Sequence, residues 1–120
     1  MQHDASAVAE GLGDLVERFD HVSVAVADLR RPGPLPGLLG GRFFNGGAER
    51  PSGFAWAQWR LPSAKLEIVA PLGDDSFLHD FLRRRGEGLH HVTLKVTDID
   101  AAIHAARAMG LDVIQIDASR

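Results

Sequence analysis

The sequence predicts a single small α+β domain built by internal duplication, and three observations carry that expectation. First, Asp20-His21-Val22-Ser23-Val24-Ala25-Val26-Ala27-Asp28-Leu29 returns seventy residues later as His90-His91-Val92-Thr93-Leu94-Lys95-Val96-Thr97-Asp98-Ile99. The His, two Val and the Asp are kept; Ser becomes Thr, Val becomes Leu and Leu becomes Ile. Second, both copies alternate between two kinds of residue with period two, the mark of a strand with unlike faces. Third, the second copy runs on into apolar residues at helical spacing. With 120 residues, 45% of them hydrophobic, the chain is long enough for one compact core and too short for two ordinary domains.

Residues 1–18 form a polar, Ala- and Gly-containing lead-in, with at most a short helical turn over residues 14–18 because the two preceding glycines oppose a long helix. From Phe19 the alternation predicts a strand to Val26, with Val22, Val24 and Val26 on one face and His21, Ser23 and Ala25 on the other. Pro32, Pro34 and Pro36 follow. Proline inside a helix costs about 3 kcal/mol or more, so residues 30–36 are read as an irregular connection with a short turn at Leu38 and Leu39. Further strands are expected at residues 42–45, 54–61 and 65–69, separated by turns at Gly46-Gly47 and Pro62-Ser63. A helix is expected from Asp74-Asp75-Ser76 through Arg85, with acids at its positive end and three arginines at its negative end.

The second copy places Val92, Leu94 and Val96 on one face and His91, Thr93 and Lys95 on the other. Asp98 is placed to cap the next helix, along which Ile99, Ala102, Ile103, Ala106 and Met109 recur at helical spacing. Gly110 is a natural stop before a strand over residues 112–116. Leu39-Gly40 falls opposite Met109-Gly110, and Phe43-Phe44 opposite Val113-Ile114, so the repeat keeps its offset without a gap. Two copies do not make a solenoid. They suggest a pseudo-symmetric domain with one site shared by His21 and His91.

Composition narrows the function classes. A net charge of −3, with basic residues scattered apart from Arg83-Arg84-Arg85, gives no nucleic-acid footprint. No apolar run approaches the roughly 20 residues of a membrane helix, and the N-terminus lacks a signal layout, so no membrane partner is expected. The absence of Cys excludes disulfide and thiol chemistry and is compatible with a cytoplasmic location.

The order strand, connection, strand, strand, strand resembles the vicinal oxygen chelate superfamily, which includes glyoxalases, bleomycin-resistance proteins and extradiol dioxygenases. The resemblance is carried by Phe19-Asp20-His21-Val22-Ser23-Val24-Ala25-Val26, Leu38-Leu39-Gly40-Gly41-Arg42-Phe43, Lys65-Leu66-Glu67-Ile68-Val69-Ala70-Pro71-Leu72 and Phe81-Leu82-Arg83-Arg84-Arg85-Gly86-Glu87-Gly88-Leu89-His90-His91-Val92. The last stretch is most similar to methylmalonyl-CoA epimerase-like and lactoylglutathione-lyase-like members. The resemblance implies paired βαβββ modules forming a curved mixed sheet around a cavity. Module one would cover residues 19–72, a linking helix residues 75–86, and a partial module two residues 90–117, all in one domain over residues 19–120.

The resemblance also implies a divalent metal held by His21, Glu67 and His91, with His90 pointing away. Two imidazoles and a carboxylate suit Zn, Mn, Fe, Co or Ni and leave positions open for a substrate's oxygens. The implied activity is that of a lyase or isomerase acting on a small carbonyl or acyl-CoA compound through a metal-stabilised enolate. Two departures bear on it. The family's fourth ligand, a glutamate, falls at about position 137 by the repeat offset, beyond Arg120, so the second module is expected to end after βαβ. The missing strands would be cut off, supplied by a partner or lost in a reduced form, and the open edge favours a homodimer or strand-sharing assembly. In addition, the family's third-strand carboxylate aligns with Ala57, while adjacent Gln58 is expected to face the other way, leaving no catalytic residue to name.

Two competing functions remain: a non-catalytic small-molecule binder like the bleomycin-resistance proteins, and a degenerate member whose histidines only pack. His3, His79 and His104 are read as surface residues. Trp56 and Trp59 are read as packing residues, with a place in the cavity wall as the alternative. Arg83 to Arg85 are read as helix capping, with contact to acyl-CoA phosphates as the alternative.

Overall fold

The computed structural model describes residues 12–114. After a 3-10 turn at Gly13–Leu15 come β1 (Val16–Ala25), α1 (Leu35–Leu38), β2 (Arg42–Glu49), β3 (Phe54–Arg60), β4 (Lys65–Pro71), α2 (Leu78–Arg85), β5 (Gly88–Val96) and α3 (Ile99–Ala108). The strands form one open mixed sheet in the order β2-β3-β4-β1-β5, so the fold is α+β as expected. β2, β3 and β4 are antiparallel neighbours, and β4 returns parallel to β1 with His21 opposite Lys65 and Ser23 opposite Glu67. That is one complete βαβββ module followed by the strand and helix of a second.

Two compact units are distinguished: residues 19–93, and residues 12–18 with 94–114. In the larger unit the central strand β4 is buried on both faces. Leu66, Ile68 and Ala70 join Val26 on one side, backed by Val24, Leu29, Trp59 and Leu61. Val69 joins Ala25 and Leu78 on the other, with Phe54, Trp56, Phe81 and Leu82 packed around them. Ile68 and Leu78 are fully buried, each contributing roughly 1.5–3 kcal/mol relative to an exposed side chain. In the smaller unit, Thr97 donates its N–H to the Leu15 carbonyl at 2.9 Å. The Asp98 carboxylate accepts from Ala101 N–H at 3.1 Å, capping α3 as its sequence predicts.

The prolines act as expected: the first connection holds only the one-turn α1, with Pro36 buried. Four elements differ from expectation. β1 starts at Val16, inside the stretch read as lead-in, and the helical turn expected over residues 14–18 is a 3-10 turn at Gly13–Leu15. β2 runs straight through Gly46-Gly47, and the chain turns later, where Gly53 at φ 76° donates to the Glu49 carbonyl. The paired glycines make room and not a turn, because a Cβ on Gly47 would lie 3.1 Å from the Trp56 indole and one on Gly46 would lie 3.0 Å from the Trp56 carbonyl oxygen. The helix expected from Asp74 starts at Leu78; the Ser76 hydroxyl instead accepts from Leu78 N–H, and Asp80 inside the helix pairs with Arg83 and Arg84. Of the strand expected over residues 112–116, residues 112–114 are not strand, since no described strand pairs with them, and the remainder lies outside the described residues.

Candidate metal centre

Strand alternation delivers the site. Val24 on β1 and Val26 just past its end enter the apolar core, while His21 and Ser23 on β1 face the other side. The ladders then line up Asn45 with Gln58, Gln58 with Glu67, and Glu67 with Ser23, a polar row across four strands. His91 on β5 completes the group. The ligand atoms of His21, Glu67 and His91 lie within 4.8 Å of one another, all inside the unit of residues 19–93.

The side chains around these three groups control how each is presented. His21 Nδ1 is hydrogen-bonded to Asp20 Oδ2 at 2.9 Å, which turns Nε2 toward Glu67 Oε1 at 3.6 Å. Lys65 holds the same Asp20 oxygen at 3.1 Å. The Glu67 carboxylate accepts from the fully buried Ser23 hydroxyl at 2.7 Å and from the Gln58 amide at 2.9 Å, one donor per oxygen. The His21 and His91 rings meet edge to face at 6.1 Å. His90 Nδ1 lies 2.8 Å from His91 Nδ1.

The electrostatics follow from these contacts. The hydrogen bond from His21, opposed by burial and reinforced by Lys65, holds the Asp20 carboxyl down at about 2, so it stays anionic. Burial, then the neighbouring His90, lower the His91 imidazole below its ordinary value, although Glu67 works the other way. His91 is therefore neutral near pH 7, with a lone pair available.

The donor set fits a divalent transition metal. Donors around a metal with bonds of about 2.1 Å sit roughly 3–4 Å apart, so the observed spacing needs only a small side-chain closure. Two imidazoles and one carboxylate leave coordination positions for other oxygens.

A sequence model of the Glyoxalase/Bleomycin resistance protein/Dioxygenase superfamily matches residues 20–120. The chain belongs to that superfamily. Within it, the chain is 31% identical over 88 residues to human mitochondrial methylmalonyl-CoA epimerase, covering 72% of this chain and 50% of the relative. It is 30% identical over 102 residues to the ethylmalonyl-CoA/methylmalonyl-CoA epimerase of Cereibacter sphaeroides, covering 83% and 76%. The crystal structure of methylmalonyl-CoA epimerase from Mycobacterium tuberculosis superimposes with a TM-score of 0.71 at 31% identity, over 80% of this chain and 66% of that one. The chain thus spans about half the length of the human relative.

Within this superfamily fold, two residues stand differently from their sequence reading. Gln58, not Ala57, shares the face of Glu67, while Ala57 is buried on the far side. Counting outward from the turn at residues 61–64, where Arg60 pairs with Lys65, reaches the Gln58–Glu67 pair and was the available signal. His90 does not simply point away: its ring stays 5.1 Å from that of His91 and packs 4.8 Å from Phe81. Trp56 and Trp59 are packing residues as read, on opposite sides of the sheet, and with Phe43 and Leu29 they line an open apolar pocket of about 390 Å³ that none of the three clustered residues borders. His79 and His104 are exposed, and His3 lies outside the described residues.

Proposed function

We propose that this chain is a divalent-metal protein that binds an acyl-CoA or similar small carbonyl compound and serves an isomerase-like reaction at its α-carbon. The observation that carries the reading is the convergence of His21, Glu67 and His91, from three strands of both modules, with a hydrogen-bonding partner already on each. The acyl-CoA class is supported by the epimerase relatives. The metal is one of Zn, Mn, Co, Ni or Fe, by the softness and geometry of the donors.

A metal held by His21, Glu67 and His91 would supply Lewis-acid chemistry toward a carbonyl oxygen of the bound compound. The chain's own residues prepare that place. His21 and His91 present ring nitrogens to one place, Ser23 and Gln58 hold the Glu67 carboxylate in one orientation, and Lys65 keeps Asp20 against His21. Gln58 faces the site as an amide, which orients a carboxylate but does not exchange protons near neutral pH. That observation favours a second reading, a small-molecule binder that keeps the metal for affinity alone. β5 forms an edge of the described sheet and carries exposed Leu89 and Val92, which supports assembly with a second copy along that edge. The cysteine-free composition suits a reducing compartment such as the cytoplasm.

The test measures metal content and molecular mass on protein purified without chelator, alongside the His21→Ala/His91→Ala double variant. About one metal per chain, lost in the variant, is expected. Exchange of the α-proton of methylmalonyl-CoA in deuterated buffer, followed by NMR, then separates catalysis from binding. No metal above the variant's background after incubation with Mn, Co, Ni or Zn would overturn the metal reading.

A further inference from the structure

The residue immediately before each clustered histidine touches that histidine's Nδ1. In the first module Asp20 Oδ2 lies 2.9 Å from His21 Nδ1, and in the second His90 Nδ1 lies 2.8 Å from His91 Nδ1. Asp20 and His90 are equivalent positions of the sequence repeat, so the same contact recurs in both modules with different chemistry. We infer that Asp20 and His90 are paired positioning residues, each fixing its neighbour's ring so that Nε2 is the nitrogen offered to the metal. The inference rests on the metal reading above.

Strand alternation by itself would send positions 20 and 90 to the opposite face from the ligands. Each is drawn back by an anchor of its own. The β1–β4 ladder opens at His21 opposite Lys65, and Lys65 Nζ reaches back past His21 to hold Asp20 at 3.1 Å. His90 is wedged edge-on against Phe81 of α2 at 4.8 Å, with Phe77 6.0 Å away on its other contact. A neutral imidazole that binds metal through Nε2 carries its proton on Nδ1 and must donate it. Asp20 accepts that proton as an anion. His90 accepts it through its own unprotonated Nδ1, which places the proton of His90 on Nε2. The two modules therefore present unequal donors: His21 is backed by an anionic carboxylate and His91 by an imidazole.

Cobalt(II) binding, followed by visible absorption and titrated by calorimetry, tests this with Asp20→Ala, Asp20→Asn, His90→Phe and His90→Asn. Phe at position 90 keeps the packing against Phe81 and loses the acceptor, whereas Asn supplies an acceptor with little packing. The expected result is a 10- to 100-fold weaker affinity with an altered cobalt spectrum for Asp20→Ala and His90→Phe, and partial recovery in both Asn variants. The Asp20→Ala loss is expected to exceed that of His90→Phe. Cobalt affinity within threefold of wild type, with an unchanged spectrum, in folded Asp20→Ala and His90→Phe would overturn the inference while leaving the metal site intact. Absence of cobalt binding by the wild type would overturn the metal reading itself, and this inference with it.

Discussion

Gln58 lies directly opposite Glu67 across the β3–β4 ladder and donates its amide N–H to Oε2 at 2.9 Å, while Ser23, opposite Glu67 on β1, donates to Oε1 at 2.7 Å. The carboxylate is therefore clamped from both neighbouring strands. Ser23 is fully buried, so Ser23→Ala leaves part of a desolvated carboxylate without its donor. We expect a loss of about 1.5–3 kcal/mol for Ser23→Ala and about 1 kcal/mol for the less buried Gln58→Ala. Urea unfolding of both variants checks the order. Equal losses would mean that burial does not set the cost.

The paired glycines of β2 predict a second ordering. A Cβ at Gly46 meets the Trp56 carbonyl oxygen at 3.0 Å, a backbone atom held by the ladder, while a Cβ at Gly47 meets the Trp56 indole at 3.1 Å, a side chain that can tilt. Gly46→Ala is expected to destabilise by about 1–3 kcal/mol, and Gly47→Ala by less. Tryptophan fluorescence is expected to shift in Gly47→Ala, where the indole must move, more than in Gly46→Ala.

The acid limb of stability should carry the signature of Asp20. Its carboxyl is lowered from 3.8 to about 2, chiefly by the hydrogen bond with His21. A depressed carboxyl contributes stability that is complete above its unfolded value and is lost as the pH falls through the folded one. The contribution should therefore disappear between about pH 4 and pH 2. Asp20→Asn, which cannot titrate, is expected to lose less stability than wild type across that window in pH-stepped urea titrations. Parallel acid limbs for the two proteins would count against the Asp20 contact.

Metal binding predicts a shift in thermal stability. A metal present at 100 times its dissociation constant and bound only by the folded chain adds about 2.7 kcal/mol. For a domain of this size that raises Tm by about 10 °C or more. Chelator should reverse the shift, and the His21→Ala/His91→Ala variant should show none. Calorimetric scans with and without metal decide it.

Asp98 offers a check remote from the site. Its carboxylate caps α3 through Ala101 N–H, so Asp98→Ala is expected to cost about 1 kcal/mol, read by urea unfolding and helical circular dichroism, with no change in metal uptake.

The repeat, the alternation and the breaker residues by themselves determined much of this protein. They placed the middle of β1, the first half of β2, β3 and β4, the proline-broken connection, the Asp98 cap, and His21 and Ser23 on one face, because these follow from local geometry with a period of two or 3.6 residues. The repeat also paired His91 with His21, and family resemblance then added Glu67 to the candidate ligands. Only tertiary structure decided what depends on pairing. That Gln58 and not Ala57 faces Glu67 depends on the β3–β4 register, where a slip of one residue exchanges the faces. Whether Gly46-Gly47 turns or stays in the ladder depends on Trp56 across the strand gap. The contact of Asp20 with Lys65 joins two strands and that of His90 with Phe81 joins a strand to the preceding helix, and no local pattern encodes either distance.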